Sequence, residues 1–224
     1  MENYHFKVHS TLDGSNTLYS EELKESYHSL NGAVQESNHV YIEAGLKYVN
    51  LKTISILEIG LGTGLNALLT WKEAIHAELS INYVAIEAFP LKKDLLQLID
   101  YKSIEGLLPE NAFEQLHDCK WDTKNPLDPN RFTFTKYNQD FTNHPIIGTY
   151  DLIYFDAFAP DKQPEMWKEE LLKKLFEALN PNGVFVTYCA KGEIRRSLQR
   201  VGFFVERIPG PIGKREMLRA TKLV

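Results

Sequence analysis

The segment Glu58-Ile59-Gly60-Leu61-Gly62-Thr63-Gly64 limits the possible folds of this chain more than any other. It follows an apolar run from Ile54 to Ile59 and precedes a helical pattern from about Leu65 to Ala77, so it reads as a strand-to-helix turn. Glycines at alternate positions let the backbone turn tightly and let a ligand approach where no Cβ stands in the way. A turn of this kind opens a strand-helix-strand unit, and the rest of the chain supplies more such units.

Ile81 to Glu87 reads as a second strand, and Pro90 opens a helix running to about Asp100. Phe132 to Lys136 alternates as a third strand, Asp151 to Phe155 is an apolar fourth ending at Asp156, and Val184 to Tyr188 is a fifth. Helices are expected over Glu169 to Leu179, stopped by Asn180-Pro181-Asn182-Gly183, and over Ile194 to Val201, ended by Gly202. Two further extended runs, Phe203 to Ile208 and Glu216 to Thr221, are joined by a Pro/Gly turn. The stretch from Lys102 to Asn130 is irregular, either a short helix with loops or an insertion. Strands alternating with helices imply an α/β fold: a Rossmann-like, doubly wound, mostly parallel sheet with one antiparallel strand. Residues 1–50 read as an appendage, a hairpin turning at Asp13-Gly14 and a helix over Ala33 to Val49. Residues 51–224 form the Rossmann-like domain.

Apolar residues make up 43% of the chain and charged residues 25%, which excludes a disordered chain. The charge-free stretch Ile59 to Trp71, as long as any in the chain, is too short and too polar to span a bilayer. Met1 to Ser10 lacks the apolar core of a signal peptide, so no membrane association and a cytoplasmic location are expected. Cys119 and Cys189 stand far apart, and the seven histidines are scattered without ligand spacing, so no metal is expected. The net charge of -5 hides an asymmetry: from Lys191 to Val224 nine Lys or Arg face three Glu, leaving -11 on the preceding residues. That basic segment is either a solvated face or a phosphate-binding surface holding Lys191, Arg195, Arg196, Lys214 and Arg215.

Ligands of doubly wound folds bind at the carboxyl ends of the strands. A dinucleotide turn, G-x-G-x-x-G, would need Gly or Ala at position 65, where Leu65 stands. E-x-G-x-G-x-G resembles instead the turn of class I methyltransferases that bind S-adenosylmethionine. Glu87, at the end of the second strand, is placed to accept both ribose hydroxyls of such a cofactor, Asp140 to accept from its adenine amino group, and Glu58 to pair with its cationic methionine end. Taken singly, Glu87 and Asp140 also read as polar residues closing strands. Asp156-Ala157-Phe158-Ala159-Pro160 follows the fourth strand and is similar to the Asp/Asn-Pro-Pro-aromatic loop of amino methyltransferases. Asp156 is therefore the candidate catalytic residue, its alternative being a turn cap. Phe158 and Trp167 either stack on a base or pack in the core.

Several segments together resemble one family, the methyltransferase half of the tRNA 5-methylaminomethyl-2-thiouridine biosynthesis proteins. They are Gly32 to Tyr41, the glycine turn through Asn66, Glu87-Ala88-Phe89-Pro90-Leu91, Asp156 to Pro160 with Pro164-Glu165-Met166-Trp167, Arg195-Arg196 with Leu198 and Gly202-Phe203, and Lys214-Arg215-Glu216-Met217-Leu218. The resemblance implies methyl transfer from S-adenosylmethionine to the aminomethyl nitrogen of the wobble uridine in tRNA. Glu58, Gly60, Gly62, Gly64, Asn66, Glu87 and Asp140 are then expected at the cofactor, and Phe158, Pro160 and Trp167 at the acceptor. Bifunctional members of the family carry a fused oxidase that prepares the amine. This chain ends at Val224 with no room for that domain; if the chain is complete, the amine is expected from another enzyme. Two rival readings stay open: a methyltransferase of a small amine or another nucleobase, and a nonenzymatic partner subunit that keeps the cofactor.

Overall fold

In the computed structural model, residues 5–101, 104, 106 and 108–224 are described. A small antiparallel sheet comes first, made of β1 (Phe6–Ser10), β2 (Asn16–Ser20) and β3 (Glu25–Ser26), with β1 and β2 joined across the expected turn at Asp13-Gly14. The main sheet has eight strands: β4 (Thr53–Ile59), β5 (Ser80–Glu87), β6 (Asn125–Asp128), β7 (Phe132–Asn138), β8 (Tyr150–Phe155), β9 (Leu179–Thr187), β10 (Phe204–Pro209) and β11 (Glu216–Thr221). Their order is β10-β11-β9-β8-β4-β5-β7-β6. The chain runs outward from β4 through β5 to β7 and then returns to the other side of β4 with β8 and β9. The switch point of this doubly wound sheet therefore lies between β4 and β8. β11 is the antiparallel strand expected near the carboxyl terminus, and β6 adds a second at the opposite edge.

The central strands are apolar because parallel strands are covered on both faces. Their period-2 alternation divides the core. Ile54 and Ile56 of β4 face one layer, with Trp71 of α2 (Leu65–His76), while Leu57 and Ile59 face the other, with Leu172 and Leu175 of α5 (Glu169–Ala178). α5 presents Leu171, Leu172, Leu175 and Ala178 along one stripe, the spacing of an amphipathic helix. α6 (Gly192–Arg200) lies in the same layer, burying Ile194 and Leu198.

Two local expectations are corrected and a third is resolved. The helix expected from Ala33 to Val49 is broken into α1 (Ala33–Ser37), a π-helix (Asn38–Glu43) and a 3-10 turn (Leu46–Tyr48). The helix expected after Pro90 is a single turn, α3 (Lys93–Leu96). The stretch from Lys102 begins on residues outside those described (102, 103, 105 and 107), but beyond them it contains α4 (Ala112–Asp118) and β6. Buried Lys136 of β7 organises this stretch by donating to the carbonyls of Leu116 and His117 at the end of α4. Helix-ending carbonyls are thus satisfied by a cation, which also suits the helix dipole.

His117 and His28 are both buried enough that desolvation pushes their imidazoles down to about 4. The unfolded chain then binds protons below its ordinary histidine value, near 6.5, while the folded chain does not. Each histidine thus lowers stability as pH falls from about 6.5 towards 4. His117→Gln is expected to lose less stability than the wild type between pH 7 and pH 5, measured by urea denaturation at both values.

Candidate methyltransferase site

A cavity of about 1040 Å³ opens at the carboxyl ends of the central strands. Gly60 and Gly62 lie on its floor, and Glu87 and Asp156 stand at the ends of β5 and β8. Two glycines of the turn are needed for close approach. Gly60 has φ +90, and a Cβ there would stand 2.7 Å from the Asp156 carbonyl oxygen. Gly64, at φ +77, caps α2, and a Cβ there would meet Leu116 at 2.8 Å. Gly64 is therefore required by packing against α4 and not by the cavity. The turn is further held by His117, whose neutral ring Nε2–H donates to Thr63 O at 3.0 Å.

Glu87 lines the cavity as expected. Its carboxylate also accepts from Gly62 N at 3.0 Å and Phe89 N at 2.8 Å, bracing the turn that it faces, while burial pushes its pKa up. Asp140 is exposed at the rim, and its oxygens accept from Thr142 N, Thr142 Oγ1 and Asn143 Nδ2, closing the turn after β7. Glu58 does not line the cavity. It is fully buried beneath the turn, where its Oε1 accepts from Asn66 Nδ2 at 2.9 Å. The same nitrogen donates to Asp156 Oδ2 at 2.8 Å, so Glu58 reaches the site only through Asn66.

Asp156 faces the cavity, and burial pushes its carboxyl up to about 6, partly opposed by the Asn66 amide and the nearby Tyr41 hydroxyl. Phe158 lines the cavity edge-on to Tyr27, at a centroid distance of 5.1 Å. Trp167 does not line it. Its Nε1 donates to Phe158 O, and its ring packs edge-on to Phe155 in the core, so it braces the acceptor loop from behind. Pro160 lines a neighbouring groove, together with Lys191, Lys214 and Arg215.

The basic carboxyl-terminal segment is more neutralised by the fold than its composition implies. Lys191 pairs with Asp161, Arg200 with Glu169, Arg207 with Glu216, Lys214 with Glu36 and Arg219 with Glu206. Arg195, Arg196 and Arg215 have no acidic partner among the described residues. Sequence reasoning missed Tyr27, Glu36 and Tyr188, all of which line the cavity. Buried Glu36 accepts from Ser29 N and Lys214 Nζ, each at 2.7 Å, and Lys214 Nζ stands 3.9 Å from the centroid of the Tyr188 ring. Tyr188 follows β9 directly, so its place at a strand's carboxyl end was a signal available in the sequence. Among the described residues no three His, Cys, Asp or Glu side chains are grouped to hold a metal ion, and no helix is long and apolar enough to cross a membrane.

The switch point, the glycine turn and the carboxylate closing β5 define a class I S-adenosylmethionine-dependent methyltransferase fold, and the turn backbone lining the cavity with Glu87 beside it fits that cofactor. Residues 133–223 match a family described as S-adenosyl-L-methionine-dependent methyltransferase. Over 90% of its length the chain is similar to tRNA 5-methylaminomethyl-2-thiouridine biosynthesis bifunctional proteins MnmC. It is 29% identical to that of Burkholderia thailandensis and 30% identical to that of Leptospira interrogans, covering 33% of each. The chain thus spans about a third of the length of these relatives. Among solved structures, MNMC2 from Aquifex aeolicus superposes with a TM-score of 0.81 at 24% identity, covering 98% of this chain and 70% of that one. Spermidine synthase from Thermotoga maritima shares the fold at a TM-score of 0.60 and 12% identity, covering 99% and 70%.

Gly62, at φ +51 under the Tyr27 ring, has no room for a branched side chain. Gly62→Val is expected to abolish S-adenosylmethionine binding in calorimetry while the domain still folds. Glu87→Ala is expected to weaken that binding by about 1.5 to 3 kcal/mol, the worth of hydrogen bonds to a charged group. Normal binding by both variants would remove the cofactor from this turn.

Proposed function

We propose that this protein methylates the aminomethyl nitrogen of 5-aminomethyl-2-thiouridine at the tRNA wobble position, giving 5-methylaminomethyl-2-thiouridine, in the cytoplasm. The observation that carries the reading is the Asp156 carboxylate, turned into the cavity beside the glycine turn. Its relatives' names support the substrate class. Bound S-adenosylmethionine supplies an electrophilic methyl group on a sulfonium.

The acceptor is a primary amine whose reference pKa, by analogy with Lys, is about 10.4, so near pH 7 about one molecule in a thousand carries the free lone pair. Asp156, even raised to about 6, is too weak a base to take that proton directly. Its role is to accept a hydrogen bond from the neutral amine, aim the lone pair, and stabilise the positive charge that grows on nitrogen. Phe158, Tyr27 and Tyr188 supply aromatic walls for the base. In this reading residues 1–50 are an appendage that completes the acceptor side, through Tyr27 and Glu36. Arg195, Arg196 and Arg215 meet tRNA phosphates, since no acidic side chain neutralises them among the described residues.

Asp156→Asn is expected to bind cofactor normally but to lower single-turnover methylation on the order of 10²-fold, the scale of removing one electrostatic stabiliser. Asp156 carries its charge only above about 6 and the amine loses its proton at higher pH, so the wild-type rate is expected to rise with pH on both counts. An Asn variant within about threefold of wild type would reduce Asp156 to a turn cap. Arg195→Ala/Arg196→Ala is expected to reduce the salt-dependence slope of tRNA binding by roughly one unit per true phosphate contact, with cofactor affinity unchanged. Turnover of a small free amine, with none on tRNA carrying the aminomethyl group, would assign another substrate.

A further inference from the structure

Asn66 stands in the first turn of α2, 3% exposed, at a position where a helix gains nothing from an asparagine. Its one amide nitrogen spends both hydrogens on carboxyl groups from different strands, Glu58 Oε1 at 2.9 Å and Asp156 Oδ2 at 2.8 Å. The flipped amide would turn its oxygen onto the Asp156 carboxylate, which has no proton to donate. We infer that Asn66 is the positioning residue of the acceptor site, tying Asp156 to the buried end of β4 so that the carboxylate faces the cavity at a set place beside the glycine turn. Glu58 is the anchor of that amide and not a contact to cofactor or substrate. The inference rests on the methyl-transfer reading for its purpose, but not for its geometry.

The charge balance of the cluster agrees. Glu58 is fully buried, its Oε2 has no partner, and burial pushes its pKa well up. Burial therefore favours its neutral form, whose carbonyl oxygen accepts from the amide. Two carboxyl groups sharing one donor do not ionise together at low cost, so the negative charge rests on Asp156, the one open to the cavity. The other ionisable groups facing Asp156 are Glu36 from α1, Tyr41 from the π-helix, Tyr83 from β5, Tyr101, Tyr188 after β9 and Lys214 before β11.

The test follows the Asp156 carboxyl by 13C NMR titration alongside single-turnover methylation, in the wild type, Asn66→Ala and the shape-preserving Asn66→Asp. Loss of the donor is expected to move the Asp156 midpoint up from about 6 by about one unit, a tenfold change in proton affinity. The acid limb of the rate profile is expected to move with it. Turnover is expected to fall at least about tenfold with cofactor Kd within about threefold, because the carboxylate is misplaced and not removed. A folded variant with an unmoved midpoint and unchanged turnover overturns the inference, as does a variant that loses cofactor affinity and turnover together. If neither variant folds, the wild-type Asn66 side-chain amide decides: 15N and 1H shifts that do not move as Asp156 titrates refute the tie. A wild type that methylates no aminomethyl nucleoside would sink the functional reading, whereas the midpoint shift would still judge the role of Asn66.

Discussion

The backbone bond from Asp156 N to Ile59 O, 3.0 Å long, is the contact on which the site depends. It extends the parallel pairing of β4 and β8 one residue past the Ile59–Phe155 register, at the switch point of the sheet. The glycine turn and the acceptor loop leave the two strands side by side, so closely that a Cβ at Gly60 has nowhere to go. A matching bond from Gly60 N to Ile86 O holds the turn against β5. Cofactor and acceptor groups are thus brought together by main-chain geometry before any side chain contributes.

Side chains then decide where charge is allowed. Glu58, on the pleat face shared with Ile54 and Ile56, points into the α2 layer, where water does not reach. Asp156, just beyond β8, escapes that layer and keeps one side on the cavity. One amide between them ties the buried Glu58 carboxyl group to the Asp156 carboxylate at the cavity. Across the cavity the Lys214–Glu36 pair joins the carboxyl-terminal loop to α1, over the face of Tyr188. Glu36 is the buried end of this pair and Lys214 the solvent-facing end, so the pair holds the two segments in register more than it adds net stability.

The relatives fit this division between main-chain frame and side-chain detail. A spermidine synthase at 12% identity retains the sheet, because many apolar sequences satisfy the same alternation. What distinguishes this chain within the fold is the set of polar groups around the cavity, which must each find a partner or face water.

The alternation of strands and helices, the glycine turn and the carboxylate at the end of β5 were legible in the sequence, because each depends on neighbours a few residues away. Pleat period, helix period and the need for a missing Cβ are local properties. The irregular course after Ala33 and the single turn of α3 were not legible, since apolar spacing does not reveal where a π turn or a loop relaxes a helix. In the site, Glu87 and Asp156 lie at strand ends and line the cavity, whereas Glu58 and Trp167 needed the structure to show that they face inward. The pairing of Glu36 with Lys214 joins residues 178 positions apart, and the pairing of Lys191 with Asp161 neutralises a cation that composition counts as free. Sequence by itself determined the periodic frame and the turn. Only the tertiary structure decided which charges are buried, shared or open to the cavity, because desolvation and ion pairing depend on the few ångströms around a group and not on its place along the chain.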